Sequence, residues 1–264
     1  MLLDDLVAEH DSLDELVSAV GPDAWDRSTP SEGWTVRDQV AHLGATEEWA
    51  TLAATDADEF RRMLAEYVSD GGREHEMRSG RLGRQPPPGS ADDPAWALAW
   101  WRSGRAAMVE QLRSRGPRDR LPWFGPDMSA MSFATARLME TWAHGHDVAD
   151  ALDVRREPTS RLRHIADLGI RTRGFAYQSR GVPMPDDPIR IDLVAPDDDV
   201  WSWGPEAAAD SVLGPALDFC LVVTQRCHPA DTQLTISGVA ATQWMGIAQA
   251  FAGGPTDQRP PRGR

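Results

Sequence analysis

The chain contains no lysine and no asparagine, so every one of its 27 Lys/Arg positions is arginine. All codons for the two missing residues begin with AA, and their joint absence points to a high-GC, actinobacterial genome. Cysteine is scarce: Cys220 and Cys227 are the two present, which excludes a cysteine-built disulfide framework or iron–sulfur set. Seven residues apart in an apolar run, they would share a helix face about two turns from one another, too far to bond together. Both read as buried free thiols, and His228 beside Cys227 is the sole support for a redox or nucleophilic role. No stretch approaches the ~20 apolar residues a membrane helix needs. The opening MLLDDLVAEHD lacks the basic and apolar regions of a signal peptide, so a cytoplasmic protein is expected. Positive charge is in deficit, 27 basic against 41 acidic residues for a net −14. That balance repels a phosphate backbone and excludes a general nucleic-acid or anionic-membrane binder, though a local basic substrate patch remains compatible with it.

A chain of 264 residues can bury a substantial core and fill one or two domains; two are expected. Residues 2–19 place Leu2, Leu3, Leu6, Val7, Leu13, Leu16 and Val17 at helical spacing, and Gly21-Pro22 ends the pattern. Thr35 reads as the N-cap of a second helix, with Asp38 in its first turn, running through Val40, Leu43 and Trp49 towards Met63. Residues 71–95, rich in Gly, Pro and charge, read as a mobile loop. A third helix runs from about Pro94 to Gly116-Pro117, and a fourth from about Ala130 to Leu152. Four helices with one long connection suggest a four-helix bundle over residues 1–155. Beyond it the pattern changes. Residues 159–180 read as a joining helix, PIRIDLVAP as a strand with VWSWGP its partner, SVLGPALDFCLVVTQR as a helix, TQLTISG as a strand and ATQWMGIAQAFAG as a final helix. The fold class is therefore α+β, with a small α/β domain over 156–252 and a tail, 253–264, expected to be disordered.

Within this frame three side chains stand out. Glu140 and His144 are four apart and stack on one helical face, with Asp147 on the same stripe. His42 lies on the apolar face of the second helix. Two imidazoles and one carboxylate on two helices form a ligand set for a divalent metal with coordination positions left open, as catalytic sites require. Glu and His at this spacing also occur as ordinary surface pairs, and it is the third residue on a separate helix that favours a metal site. His146 points away from the stripe. His10, His75, His164 and His228 read as structural or solvent-facing, His10 being the one whose helix could face the bundle centre. Trp34, Trp49, Trp96, Trp100, Trp101 and Trp142 read as core, one or two of them lining the pocket.

The runs GWTVRDQVAHL and ETWAHGHDVADAL, with the later TQRCHPADTQLTISGVAATQWMGIAQAFAGG, resemble the DinB-like metal-binding superfamily. The nearest-looking branch comprises the mycothiol-dependent maleylpyruvate isomerase-like proteins, including a group labelled with a wyosine-base-formation domain. The likeness covers most of the chain. It implies an N-terminal four-helix bundle whose metal, often zinc, is held at positions matching His42, Glu140 and His144. It also implies a C-terminal domain similar to sterol carrier proteins, with Arg226 the basic residue carried over to the substrate site.

The mechanism so implied uses a low-molecular-weight thiol such as mycothiol, made more acidic by the metal. Thiolate adds to an electron-poor double bond, rotation follows, and expulsion completes a cis/trans isomerisation; transfer of the thiol is the variant. Arg226 would anchor a carboxylate of a small acidic substrate, and Asp147 or Glu48 would orient a ligand imidazole. Zn, Ni, Fe and Mn all suit the donors, and a monomer or homodimer suits the chain. Two other readings stay open: a thiol-independent metal-dependent cyclase, dehydratase or hydrolase of a specialised pathway, and a non-catalytic protein binding metal or an apolar small molecule. The wyosine label would suggest transfer-RNA modification, against which the acidic balance and the missing iron–sulfur cysteines both count.

Overall fold

The computed structural model describes residues 1–69 and 93–262. The chain divides into two compact units, Met1–Arg156 and Glu157–Arg264. Much of the loop expected over 71–95 lies outside the described residues, and Pro94 already belongs to a helix.

The first unit is built on α1 (Leu2–Ser18), α2 (Val36–Thr55), α3 (Ala57–Ser69), α4 (Pro94–Arg113) and α5 (Ala130–Ala151). Each start has a local cause. Thr35 Oγ1 accepts from the Asp38 amide at 3.2 Å while Asp38 Oδ2 accepts from the Thr35 amide at 2.8 Å, a reciprocal capping box. Asp93 caps α4 ahead of Pro94, and Ser129 caps α5 through the Ser132 amide. The four long helices pack in a ring, α1 against α4 and α5, and α2 against the same two. Leu13, Val17, Val36, Val40, Leu43, Trp101 and Val148 form part of its core.

The second helix does not continue to Met63. It stops at Thr55, where Asp56 turns out of helical geometry and accepts from the Glu59 amide at 3.0 Å, capping a separate α3. A two-stranded ribbon, β1 (Arg120–Leu121) with β2 (Met128–Ser129), bridges α4 and α5.

The second unit opens with α6 (Leu162–Arg171) and α7 (Arg173–Gln178). The single helix expected over 159–180 is broken at Thr172, whose hydroxyl donates back to the carbonyls of Leu168 and Gly169. The sheet that follows contains β3 (Ile189–Val194), β4 (Val200–Trp203), β5 (Asp210–Pro215) and β6 (Thr235–Ser237), in spatial order β4-β3-β5-β6. β3 pairs antiparallel with β4 and parallel with β5; β5 and β6 are antiparallel. The segment expected as one helix, SVLGPALDFCLVVTQR, divides into β5 and α8 (Ala216–Val223) because Pro215 holds an extended conformation and cannot sit inside the helix it precedes. Cys227 accordingly lies past α8. Both thiols are free, Cys220 buried and raised well above the usual thiol range by desolvation, Cys227 raised by partial burial and then by Asp231.

α9 (Val239–Ile247) ends earlier than the sequence pattern suggests. Gln249 beyond it turns its side chain to the tail, accepting from the Thr256 amide at 3.2 Å. From the described part of the tail, Gln258 Nε2 donates to the carbonyls of Val222, Met245 and Ala248, and Arg259 to that of Arg226. Helix-end carbonyls need donors, and these polar side chains supply them. Among the described residues no helix is long and apolar enough to cross a membrane.

Asp14 ties α1 to α4. It accepts from Arg102 Nε at 2.7 Å, Arg105 at 2.7 Å and Ser18 Oγ at 2.9 Å. The Arg102 hydrogen bond, helped by Ser18 and Arg105 against the opposing effect of burial, holds its carboxyl below the usual carboxylate range. A lowered folded-state pKa gives stability that is present above the unfolded value and lost as pH falls through the folded one. Asp14→Ala should therefore cost about 2 kcal/mol at neutral pH, or roughly 4–8 °C in Tm. The gap from the parent should shrink below about pH 4. Thermal melts at pH 7 and pH 3 check this; an equal gap at both would show that the carboxylate charge contributes nothing.

Candidate metal centre

α2 and α5 face each other, and their contact carries the three residues singled out above. His42 projects from α2, and Glu140 and His144 from successive turns of α5. Their donor atoms lie within 4.8 Å of one another. Glu140 Oε2 is 3.2 Å from His144 Nε2 and 3.9 Å from His42 Nε2. Tetrahedral ligation with bonds of about 2.1 Å separates neighbouring donors by about 3.4 Å, between these two distances. Both imidazoles are buried and their ring centroids are 4.6 Å apart; Glu140 keeps partial exposure.

The donor chemistry fits a metal at a second level as well. His144 Nδ1 makes a short hydrogen bond to Gln39 Oε1. An amide oxygen only accepts, so Nδ1 carries a proton, and Nε2 is the ring nitrogen that faces Glu140 and His42 and would serve as the ligand. Gln39 is itself fixed, its Nε2 donating to Thr29 Oγ1 at 2.9 Å, and Thr29 donates onward to the Trp34 carbonyl at 3.0 Å. Burial works against ionisation of Glu140, yet hydrogen bonds from His144 and His42, reinforced by the charges of His144 and Arg137, hold its carboxyl well below the usual range. It is an anion poised between two imidazoles, a donor set suited to a divalent cation.

A tight loop roofs the two rings. Gly33 adopts φ 72°, and the Trp34 amide donates to Ser31 O at 2.9 Å. The Trp34 ring is stacked on His144 at 5.9 Å and edge-on to His42 at 5.4 Å. Ser31 Oγ donates to Asp147 Oδ2 at 2.9 Å, so the buried Asp147 anchors this loop from α5.

Gln39 was not among the sequence candidates for orienting a ligand ring. A signal existed: it lies three residues before His42 on the same helix and hence on the same stripe. Glu48 accepts from Trp100 Nε1 at 2.7 Å. Arg226 belongs to the second unit, beyond α8, with its guanidinium donating to the Thr224 carbonyl at 2.7 Å. Of the remaining histidines, His10 is buried among the helices, His146 packs on Trp142 at 4.2 Å, and His228 accepts from the Ala230 amide at 3.0 Å. His164 is half-buried, and His75 lies outside the described residues.

A helical unit bearing two imidazoles and a carboxylate on facing helices, followed by a small mixed sheet, defines a two-part α+β protein with a metal-suited pocket. Residues 6–149 match the family described as mycothiol maleylpyruvate isomerase N-terminal domain, and the chain belongs to that family. Two proteins of Mycobacterium tuberculosis, from different strains and each described as uncharacterized, are 43% identical over 260 residues, covering 95% of both chains. Among solved structures, the mycothiol-dependent maleylpyruvate isomerase matches with a TM-score of 0.53 and 15% identity, and a mutant of it with 0.54 and 13%. Each match covers 91% of this chain and 94% of the other. At that identity the likeness is one of fold.

Two outcomes check the centre. Protein purified without a metal-affinity tag should carry near-stoichiometric divalent metal by elemental analysis, and a folded His42→Ala, Glu140→Ala, His144→Ala variant should carry none; a parent that stays empty after zinc addition removes the tripod. Gln39→Leu, which frees the His144 ring, should weaken zinc binding roughly 10–100-fold in a chelator competition, and parent-like affinity would show that the Nδ1 hydrogen bond does not matter.

Proposed function

We propose that the protein is a divalent-metal enzyme, with zinc as its natural ion, that uses a low-molecular-weight thiol of the mycothiol kind. It isomerises, or transfers the thiol to, a small acidic or unsaturated metabolite. The observation that carries this reading is the tripod of His42, Glu140 and His144, with Nδ1 of His144 committed to Gln39 and its Nε2 turned inward. Membership of a mycothiol maleylpyruvate isomerase family supports the thiol. The reading takes the helical unit as a DinB-like four-helix bundle and the second unit as similar to sterol carrier proteins.

A divalent cation on the three ligands would supply the Lewis acidity that makes a thiol available as thiolate at neutral pH. The chain's own residues do the rest. Gln39 fixes the ring of His144, Trp34 covers both imidazoles and keeps water from that side, and Asp147 acts as a positioning residue by holding Ser31 and with it the Trp34 loop. Arg226 is assigned the substrate carboxylate on family likeness, a planar guanidinium being suited to grip it bidentately.

The test is turnover of cis-unsaturated dicarboxylates, maleylpyruvate first, by zinc-loaded protein with mycothiol, with a simple thiol and with none. Product should form only where metal and thiol are both present. Turnover that needs metal but ignores thiol would replace this reading with a thiol-independent cyclase, dehydratase or hydrolase.

A further inference from the structure

One helical turn away from the tripod lies a second polar cluster that the proposed chemistry does not use. Glu47 of α2, Arg137 of α5 and His10 of α1 are all buried, Glu47 completely so. Arg137 Nε is 3.7 Å from Glu47 Oε2, and His10 Nε2 is 3.5 Å from Glu47 Oε1. Neither carboxylate oxygen of Glu47 makes a hydrogen bond within the described residues, so charge holds this group. α4 closes the fourth side. Trp101 meets the His10 ring edge-on at 6.1 Å, and Gly104 leaves so little room that an added Cβ would come within 3.2 Å of Glu47 Cβ.

Burying a carboxylate and a guanidinium costs several kcal/mol per ion, and apolar residues of similar volume would serve stability as well or better. The position of the cluster suggests another use. Arg137 precedes Glu140 by three residues, and Thr46 follows His42 by four, so each sits one turn from a ligand on the same helix. Arg137 donates to Thr46 Oγ1 at 2.8 Å, and that hydroxyl donates in turn to the His42 carbonyl at 2.9 Å. A continuous chain of hydrogen bonds thus runs from α5 to the backbone of a ligand residue on α2. Glu47 neutralises the guanidinium from beneath, and Trp123 stacks over it at 5.6 Å.

We propose that Arg137 is a positioning residue for the metal centre: braced by Glu47 and His10, its link to Thr46 sets the spacing of α2 and α5 and so the separation of His42 from Glu140 and His144. The inference rests on the tripod reading above. It differs from a stabilising role in what it requires, because a merely stabilising contact can be lost without changing the ligand geometry of the molecules that remain folded.

Cobalt(II) in place of zinc gives a visible spectrum that reports coordination geometry, without any assay of turnover. Folded Arg137→Met should bind cobalt at least tenfold more weakly than the parent, with a shifted and weakened ligand-field band. Thr46→Val, nearly isosteric and expected to fold, should show the same change in smaller degree, and Arg137→Lys should restore charge without restoring the parent band. Asp14→Ala serves as a control that lowers Tm while leaving the spectrum alone. Parent-like spectrum and affinity in Thr46→Val, and in Arg137→Met where it folds, overturn the inference by themselves. A parent that takes up no cobalt overturns both the inference and the tripod on which it stands.

Discussion

A charged or polar group placed between packed helices must find a partner there, and this constraint governs the seam between α2 and α5. Glu47, Arg137, Thr46, His42, Gln39, Glu140 and His144 follow one another along it, and each is answered across the seam or along it. Apolar residues such as Val40 and Val148 flank this polar row within the same core. Ridge-into-groove packing would tolerate some sliding; a row of mutually dependent hydrogen bonds and ion pairs does not, since a shift of one residue along either helix would strand several buried groups at once. The Trp34 loop is subject to the same rule, because its tie to Asp147 ends on α5 while its chain continues directly into α2.

How much of this was legible beforehand depended on whether the signal was local. The Thr35–Asp38 cap, the Pro94 and Ala130 helix starts and the strand at PIRIDLVAP are written in neighbouring residues and are found where the sequence places them. Metal-ligand candidates were readable because α-helical spacing puts Glu140 and His144 on one face, whatever the rest of the chain does. The errors arose where a polar or cyclic residue interrupts an otherwise continuous apolar pattern: Asp56 capping a new helix, Thr172 ending one, Pro215 separating strand from helix. The contacts of the tail have no local signal. Its composition suits disorder, but Gln258 and Arg259 find carbonyls that only the folded chain presents. Gln39, His10 and Glu47 acquire meaning only across helices, and no spacing rule within one helix reveals a partner on another.

The chain's relatives divide along the same line. Mycobacterial relatives at 43% identity extend over nearly the whole chain, whereas the solved isomerase shares the fold at 15%. Fold is the property that survives such divergence, and chemistry has to be argued from the site. Here the site speaks through an imidazole oriented by an amide and a carboxylate held ionised, both properties of a few side chains.

The hydrogen bond from Arg137 to Thr46 spans 91 residues of sequence, and the tripod ties segments about as far apart. In an unfolded chain, bringing such distant segments together has an entropic cost that grows slowly with loop length and falls at the point of closure. The α2–α5 seam is therefore a non-local part of the fold, unlike the caps and turns that form within each helix. An ion that bridges the seam would act as a cross-link that the unfolded chain cannot hold in the same way, so its release would be felt as a change in unfolding rate as well as in the pocket.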